Sequence, residues 1–270
     1  MTLQEARIVF LDAETYGDTS LRRFAERWPC TVHGVTSATD TIGRLSGHTV
    51  AVTNKVVIDR AVLESREVRD LRLIAVAATG TDIIDKEAAT QRGVAVCNVP
   101  GYATHSVAQF TMALILQLAT WAGRYADAVK AGEWQKSPVF SLLAYPAVEL
   151  KGKKLGIVGY GNIGQAVAQM ARAFGMEILV AARPGATGAI PADRLPVDRV
   201  LREADIISLH CPLTAGTKNL INRQSLSLMK STAFLINTAR GALIDESALI
   251  AALREKRIAA AALDVISQEP

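Results

Sequence analysis

The stretch LGIVGYGNIGQAVAQMARAFGMEILVAAR, residues Leu155–Arg183, is an apolar strand running into Gly159-Tyr160-Gly161-Asn162-Ile163-Gly164, followed by an amphipathic helix and a second apolar strand. That order is the pattern of a dinucleotide-binding βαβ unit. The first glycine permits the tight strand-to-helix turn, the second lets the backbone approach a pyrophosphate, and the third lets helix and strand pack closely. The start of the helix adds N–H groups and the positive end of its dipole, which suit phosphate.

The residue that ends the second strand of such a unit usually selects the cofactor, because an acidic side chain there accepts hydrogen bonds from the adenosine ribose hydroxyls. This chain carries Ala182 at that point and Arg183 next. A guanidinium beside a missing carboxylate suits a 2′-phosphate by charge and by bidentate geometry, which favours NADP(H) over NAD(H). The alternative is that Arg183 is a solvated surface residue and the ribose contact is made elsewhere.

The composition excludes several classes. With 270 residues and 50% hydrophobic side chains, the chain suffices for two domains with parallel sheets covered on both faces. A formal charge of +4 comes from interspersed Lys and Arg, so nucleic acid is not implied, while small anionic substrates are favoured. Cys30, Cys97 and Cys211 lack metal-ligand spacing and read as reduced core thiols of a cytoplasmic protein. The N-terminus has no signal-peptide pattern, and the longest apolar run, Phe110–Ala122, is too short to span a bilayer.

Before the glycine-rich turn, apolar strands near Ile8–Leu11, Thr49–Val52, Leu73–Val76 and Val94–Val96 alternate with helical stretches and imply a separate α/β unit. Asn98-Val99-Pro100-Gly101 punctuates the chain, placing the domain crossover near Asn98, and one long helix is expected from about Thr104 to Ala131. Beyond the turn, strands at Asp205–Leu209, Ala233–Ile236 and Ala259–Leu263 alternate with helices near Val197–Glu203, Arg223–Met229 and Glu246–Glu255, continuing a doubly wound sheet.

Three further groups of motifs carry a resemblance. His210-Cys211-Pro212-Leu213-Thr214, Asn237-Thr238-Ala239-Arg240-Gly241 with Leu243-Ile244-Asp245-Glu246, and Ala262-Leu263-Asp264-Val265 with Glu269-Pro270 resemble the D-isomer-specific 2-hydroxyacid dehydrogenases. The stretches Val52–Lys55, Ala75–Asp82 and Gly101–Ala108 are most similar to the glycerate dehydrogenase and hydroxypyruvate/glyoxylate reductase branch. The resemblance implies an α/β chain of two doubly wound domains: a flavodoxin-like substrate domain over residues 1–98 and a Rossmann nucleotide-binding domain over residues 99–270. The site is expected in the cleft between them.

Reducing a 2-oxo acid requires a cation for its carboxylate, a donor for charge developing on the carbonyl oxygen, and a proton source. Arg240 is the candidate for the first two roles, since it follows an apolar strand where open parallel sheets place ligand sites. By resemblance, the N–H groups of Ala78, Thr79 and Gly80 hold the substrate carboxylate, and Asn54 and Lys55 form a second active-site loop. Also by resemblance, Thr104 lies near the nicotinamide, and Asn162 and Ile163 supply phosphate-binding N–H groups. His210 belongs to the shell of the cofactor, Cys211, Pro212 and Thr217 to the adenosine pocket, Thr238 and Ala239 to the cofactor contacts, and Asp264 to the carboxamide. For Thr217 a solvated loop hydroxyl is the rival reading, and for Lys55 a solvated surface cation.

In the family the residue matching Glu269 orients a histidine and raises its pKa so that an imidazolium can protonate the new alkoxide. None of His33, His48, His105 and His210 occupies that histidine's position. The expectation is a fragment of an ordinary dehydrogenase, against a shortened protein without the usual acid. A non-catalytic dinucleotide sensor of the same fold and a formate dehydrogenase-like enzyme are the alternatives to a hydroxypyruvate or glyoxylate reductase. A homodimer is expected from the resemblance and from the aromatics Trp121, Tyr125, Trp134, Phe140 and Tyr145.

Overall fold

Runs of Ile, Val and Leu bounded by turn residues build two five-stranded sheets in which every strand pair is parallel. The computed structural model describes residues 6–185 and 189–268. The chain divides into two compact units, Met1–Tyr102 and Ala103–Pro270.

The first unit contains β1 (Ile8–Phe10), β2 (Cys30–Val32), β3 (Val50–Thr53), β4 (Leu73–Val76) and β5 (Ala95–Cys97), in sheet order β2-β1-β3-β4-β5. This is the flavodoxin-like order, with its switch point between β1 and β3. Alternation sends Ile8, Phe10 and Val50 to one face and Val9, Leu11 and Ala51 to the other, so each face has its own core. Helices α1 (Arg22–Ala25), α2 (Thr41–Leu45), α3 (Arg60–Glu64) and α4 (Lys86–Gln91) connect the strands. Asp59 and Asp85 cap α3 and α4, each accepting a backbone N–H at 2.9 Å. Gly93, at φ 65°, ends the turn after α4.

Two expectations are corrected here. β2 has no counterpart among the expected strands, because it is a three-residue edge strand with half-buried Cys30 and exposed Thr31 and Val32, and so lacks an apolar run. Cys97 is exposed and Cys30 only half-buried, leaving Cys211 as the one fully buried thiol; Cys97 lies on edge strand β5, where part of each face stays open.

The second unit begins with α5 (Thr104–Thr120) and α6 (Ala122–Lys130). The single helix expected there is broken at Trp121, which adopts the left-handed conformation at φ 55°. Its indole Nε1 donates to the Pro146 carbonyl at 2.9 Å, a contact from 25 residues away that holds the break. Then follow β6 (Lys154–Val158), α7 (Asn162–Ala173), β7 (Glu177–Val180), α8 (Val197–Glu203), β8 (Ile206–Leu209), α9 (Arg223–Leu228), β9 (Phe234–Asn237), α10 (Glu246–Arg254) and β10 (Ala260–Leu263).

The second sheet runs β10-β9-β8-β6-β7. Leu195 pairs with Ala181 in parallel beyond β7, a single-residue version of the outer strand of a Rossmann sheet. Leu155, Ile157, Ile206 and Ile236 pack on one face with residues of α5 and α7, while Val158, Ile207 and Leu209 pack on the other with α8, α9 and α10. Gly156 allows the close approach of α8, since a Cβ there would lie 2.6 Å from a Val200 methyl. The order reverses between β6 and β8, which sets a crevice beyond their carboxyl ends.

Candidate active site

In the second unit the glycine-rich turn starts where buried β6 ends. Gly159 has φ 99°, and a Cβ on it would meet the Cys211 nitrogen at 2.4 Å and the His210 carbonyl carbon at 2.5 Å. The turn is thus pressed against the end of β8, and only glycine satisfies both the conformation and the contact. A Cβ on Gly164 would lie 2.2 Å from the Gly159 oxygen, so the third glycine seats α7 on the turn. Gly161 differs: φ is −79° and nothing lies within 4 Å of its Cβ position. The space before α7, with the unshared N–H groups of Asn162 and Ile163 at its first turn, is therefore open. These residues fit a dinucleotide pyrophosphate.

Arg183, Cys211, Pro212 and Thr217 come together around one cavity of about 380 Å³ at the ends of β7 and β8. Arg183 is exposed, and no acidic side chain stands at Ala182. Thr217 is buried; its hydroxyl donates to the Pro212 carbonyl at 2.7 Å and accepts the Thr214 N–H at 2.8 Å. It shapes the wall of the cavity by folding the loop. Arg194 lays its guanidinium over the Tyr160 ring at 4.7 Å, beside the glycine-rich turn. His210 pairs Nε2 with the Ser208 hydroxyl at 2.8 Å, and burial pushes its pKa down to about 4, so the ring is neutral at pH 7.

At the ends of β9 and β10 stand Thr238, Ala239, Arg240 and Asp264. Asn237, fully buried, donates from Nδ2 to the Arg240 carbonyl at 2.9 Å and takes the Ala239 N–H on Oδ1 at 3.0 Å. Its own carbonyl accepts the Asp264 N–H at 2.9 Å. Thr238 shares a hydroxyl contact of 3.0 Å with Thr111 on α5, the helix that Thr104 opens. His105, also in the first turn of α5, is exposed. A Cβ on Gly241 would fall 1.9 Å from the Ile266 carbonyl carbon, so the backbone of 266–267 crosses directly over that glycine. Asp245 caps α10 through the Ala248 N–H, whereas Glu246 accepts the Ser267 N–H and anchors the crossing segment. Glu269 lies outside the described residues.

In the first unit, Asn54 and Lys55 follow β3, with Asn54 half-buried and Lys55 exposed. Beneath them is Asp12, a residue the sequence reading did not single out, whose carboxylate accepts the N–H groups of Asn54, Lys55 and Val56. Ala78, Thr79 and Gly80 follow β4. The Ala78 carbonyl accepts from the Val99 N–H at 3.0 Å and the Thr79 carbonyl from Asn98 Nδ2 at 2.7 Å. Because each peptide is planar and trans, the N–H groups of Thr79 and Gly80 point to the opposite side. Asn98 Nδ2 and the Val99 N–H thereby turn one amide each outward, a role of Asn98 that its position in a turn motif did not reveal. His48 precedes central strand β3 and pairs Nε2 with the hydroxyl of Thr31 on edge strand β2 at 3.0 Å.

Comparison with known proteins bears on this geometry. The profile of the D-isomer specific 2-hydroxyacid dehydrogenase NAD binding domain matches residues 112–270. The chain is 40% identical over 266 residues to the glycerate dehydrogenase of Methylorubrum extorquens, covering 98% of this chain and 82% of that protein. It is 36% identical over 271 residues to the hydroxypyruvate reductase of Blautia hydrogenotrophica, covering 98% and 84%. Among solved structures, an acyclic imino acid reductase in complex with NADPH and D-Arg superposes with a TM-score of 0.80 at 27% identity, covering 97% of this chain and 84% of that one. The glycine-rich turn and the arginine-bearing strand end thus sit in a matched domain, and full-length relatives align over nearly the whole chain: this protein is an enzyme of the D-isomer specific 2-hydroxyacid dehydrogenase family.

Proposed function

We propose that the enzyme transfers hydride between NAD(P)H, with NADPH preferred, and a small 2-oxo acid such as hydroxypyruvate or glyoxylate. The observation that carries this reading is the placement of Arg240 beyond β9, held through its carbonyl by buried Asn237, whose own carbonyl accepts the Asp264 N–H. The reduced nicotinamide supplies the hydride when bound. Arg240 binds the substrate and donates to the carbonyl oxygen as negative charge grows there. The outward N–H groups of the 78–80 loop hold the carboxylate, with Asn54 and Lys55 contributing from the next loop. Asp264 fixes the carboxamide and Thr104 borders the nicotinamide; Glu269 is the carboxylate that the family resemblance assigns to proton transfer. His210 serves as a neutral wall of the cofactor site, since an imidazole with a pKa of about 4 is not in its acidic imidazolium form at pH 7.

Preference for NADPH rests on exposed Arg183 at the cavity and the absence of a carboxylate at Ala182. Assembly as a homodimer in the cytoplasm completes the reading. Trp121, Tyr125 and Tyr145 pack on one another, with ring centroids 6.2 and 5.2 Å apart, and so fill their own corner of the second unit. The apolar surface that supports a dimer is instead Trp134, Val139, Phe140 and Leu143. Among the described residues no helix is long and apolar enough to cross a membrane.

The test follows loss of reduced-nicotinamide absorbance with hydroxypyruvate and with glyoxylate, each with NADPH and NADH. Turnover is expected, faster with NADPH. Cofactor binding without oxidation by any 2-oxo acid overturns the assignment.

A further inference from the structure

Asp12 follows β1 and is only 3% exposed. Its Oδ2 accepts the N–H groups of Asn54 at 2.9 Å, Lys55 at 2.6 Å and Val56 at 3.3 Å, and the Thr53 hydroxyl at 3.3 Å. Oδ1 accepts the Tyr16 hydroxyl at 2.9 Å and shares the Asn54 N–H at 3.0 Å. Three successive amides converging on one point form a nest, a backbone concavity built for an anion. The Thr53 hydroxyl also accepts the Val56 N–H at 3.0 Å, which closes the loop on itself. Burial and the adjacent carboxylate push the Tyr16 phenol up, so it remains a hydrogen-bond donor across the working pH range.

The location gives this cluster its meaning. Asp12 and the 54–56 loop stand at the switch point of the first sheet, where the connections after β1 and β3 diverge and where doubly wound proteins bind ligands. Here the chain fills the innermost anion position with its own side chain. Hydrogen bonds to an ionised acceptor are about twice as strong as neutral ones, and a loop pinned by three of them keeps one backbone conformation. Asn54 and Lys55 are the residues whose amides are pinned, so that conformation decides where their side chains stand.

From this cluster we infer that Asp12 is a positioning residue for substrate binding: it acts through the backbone of Asn54 and Lys55 and does not touch the 2-oxo acid. The inference rests on the reading of those two residues given above.

The test compares the wild-type enzyme with Asp12→Asn, which keeps the shape but turns an amide donor toward the backbone N–H groups. Affinity for a 2-oxo acid is measured by titration of the NADP+-loaded enzyme, in which no hydride is available, alongside KM, kcat and NADPH affinity. Removing a charged acceptor from a pinned loop is expected to weaken 2-oxo acid binding by about tenfold or more, with NADPH affinity unchanged. Lys55→Ala should then cost less in the Asp12→Asn background than alone, which a merely structural role would not produce. Asp12→Asn that melts cooperatively and binds 2-oxo acid as tightly as wild type overturns the inference. Should that variant fail to fold, Tyr16→Phe and Thr53→Val each remove one hydroxyl from the same carboxylate; unchanged 2-oxo acid affinity in both likewise overturns it. Wild-type enzyme that binds NADPH but no 2-oxo acid overturns the proposed function itself, and this inference with it.

Discussion

The side chain of Asn237 is bonded to the backbone of Arg240, Nδ2 to carbonyl oxygen at 2.9 Å, while its Oδ1 takes the intervening Ala239 N–H at 3.0 Å. One carboxamide therefore serves as donor and acceptor, and no other small side chain can do both in the same orientation. Asn237→Ala is expected to lower kcat/KM by about ten- to a hundredfold, because each buried partner left unmade costs about 1–3 kcal/mol. Asn237→Asp should be no better, since a carboxylate meets the Arg240 carbonyl with a second acceptor. Steady-state kinetics with a melting curve for each variant separate loss of arginine placement from loss of fold.

Gly159 and Gly161 should respond to alanine in opposite ways. Gly159→Ala faces a φ of 99° and backbone atoms at 2.4 Å, and is expected to cost several kcal/mol and abolish cofactor binding. Gly161→Ala meets no atom within 4 Å, so the melting temperature should hold or rise slightly. Its new methyl group occupies the ground before α7, and NADPH affinity should fall by about tenfold or more. Calorimetry on the Gly161 variant is the direct check; unchanged affinity would place the pyrophosphate elsewhere.

Arg183→Ala should weaken NADPH binding by about ten- to a hundredfold, the range for a charge-assisted phosphate contact, and leave NADH nearly unaffected. Combining it with Ala182→Asp should move the preference toward NADH by restoring a ribose acceptor. Fluorescence titration with both nucleotides reads the two affinities independently of turnover.

His210 makes stability depend on pH. Its folded value of about 4 lies below the ordinary 6.5, with burial as the cause, so the unfolded chain takes up a proton between those values and the folded one does not. Stability is therefore complete above pH 6.5 and declines as pH falls toward 4, by at most about 3 kcal/mol from this residue. Urea unfolding of wild type and His210→Gln near neutral pH and near pH 4.5 should show a shallower decline in the variant.

Phe140 and Leu143 are 93% and 85% exposed, and a pair of serines there should turn a dimer into a monomer with an unchanged circular dichroism spectrum. Analytical ultracentrifugation decides this, and a wild-type monomer at micromolar concentration ends the dimer proposal.

The sequence reveals the parallel sheets because their strands are buried on both faces and appear as short apolar runs; Leu155–Val158, Ile206–Leu209 and Phe234–Ile236 need no partner to be recognised. Edge strand β2 offers no such run. The break at Trp121 has no glycine or proline at the position itself and depends on a bond to Pro146. Site residues within one motif, such as Asn237 and Arg240, are visible together. Asp12 is not, because the loop it holds lies 41 to 44 residues along the chain and only the pairing of β1 with β3 brings it near. Asn98 is hidden for the same reason, its partner Thr79 being 19 residues away across β4 and β5.

Among the described residues, the first sheet takes all five of its strands from Ile8 to Cys97. Each strand pairs with β-structure that is already synthesised or only one crossover behind. During translation at about 5–20 residues per second, N-terminal segments generally fold first. The Asp12 nest can therefore close, and the 54–56 loop take its shape, while the ribosome is still producing the glycine-rich turn of the second sheet.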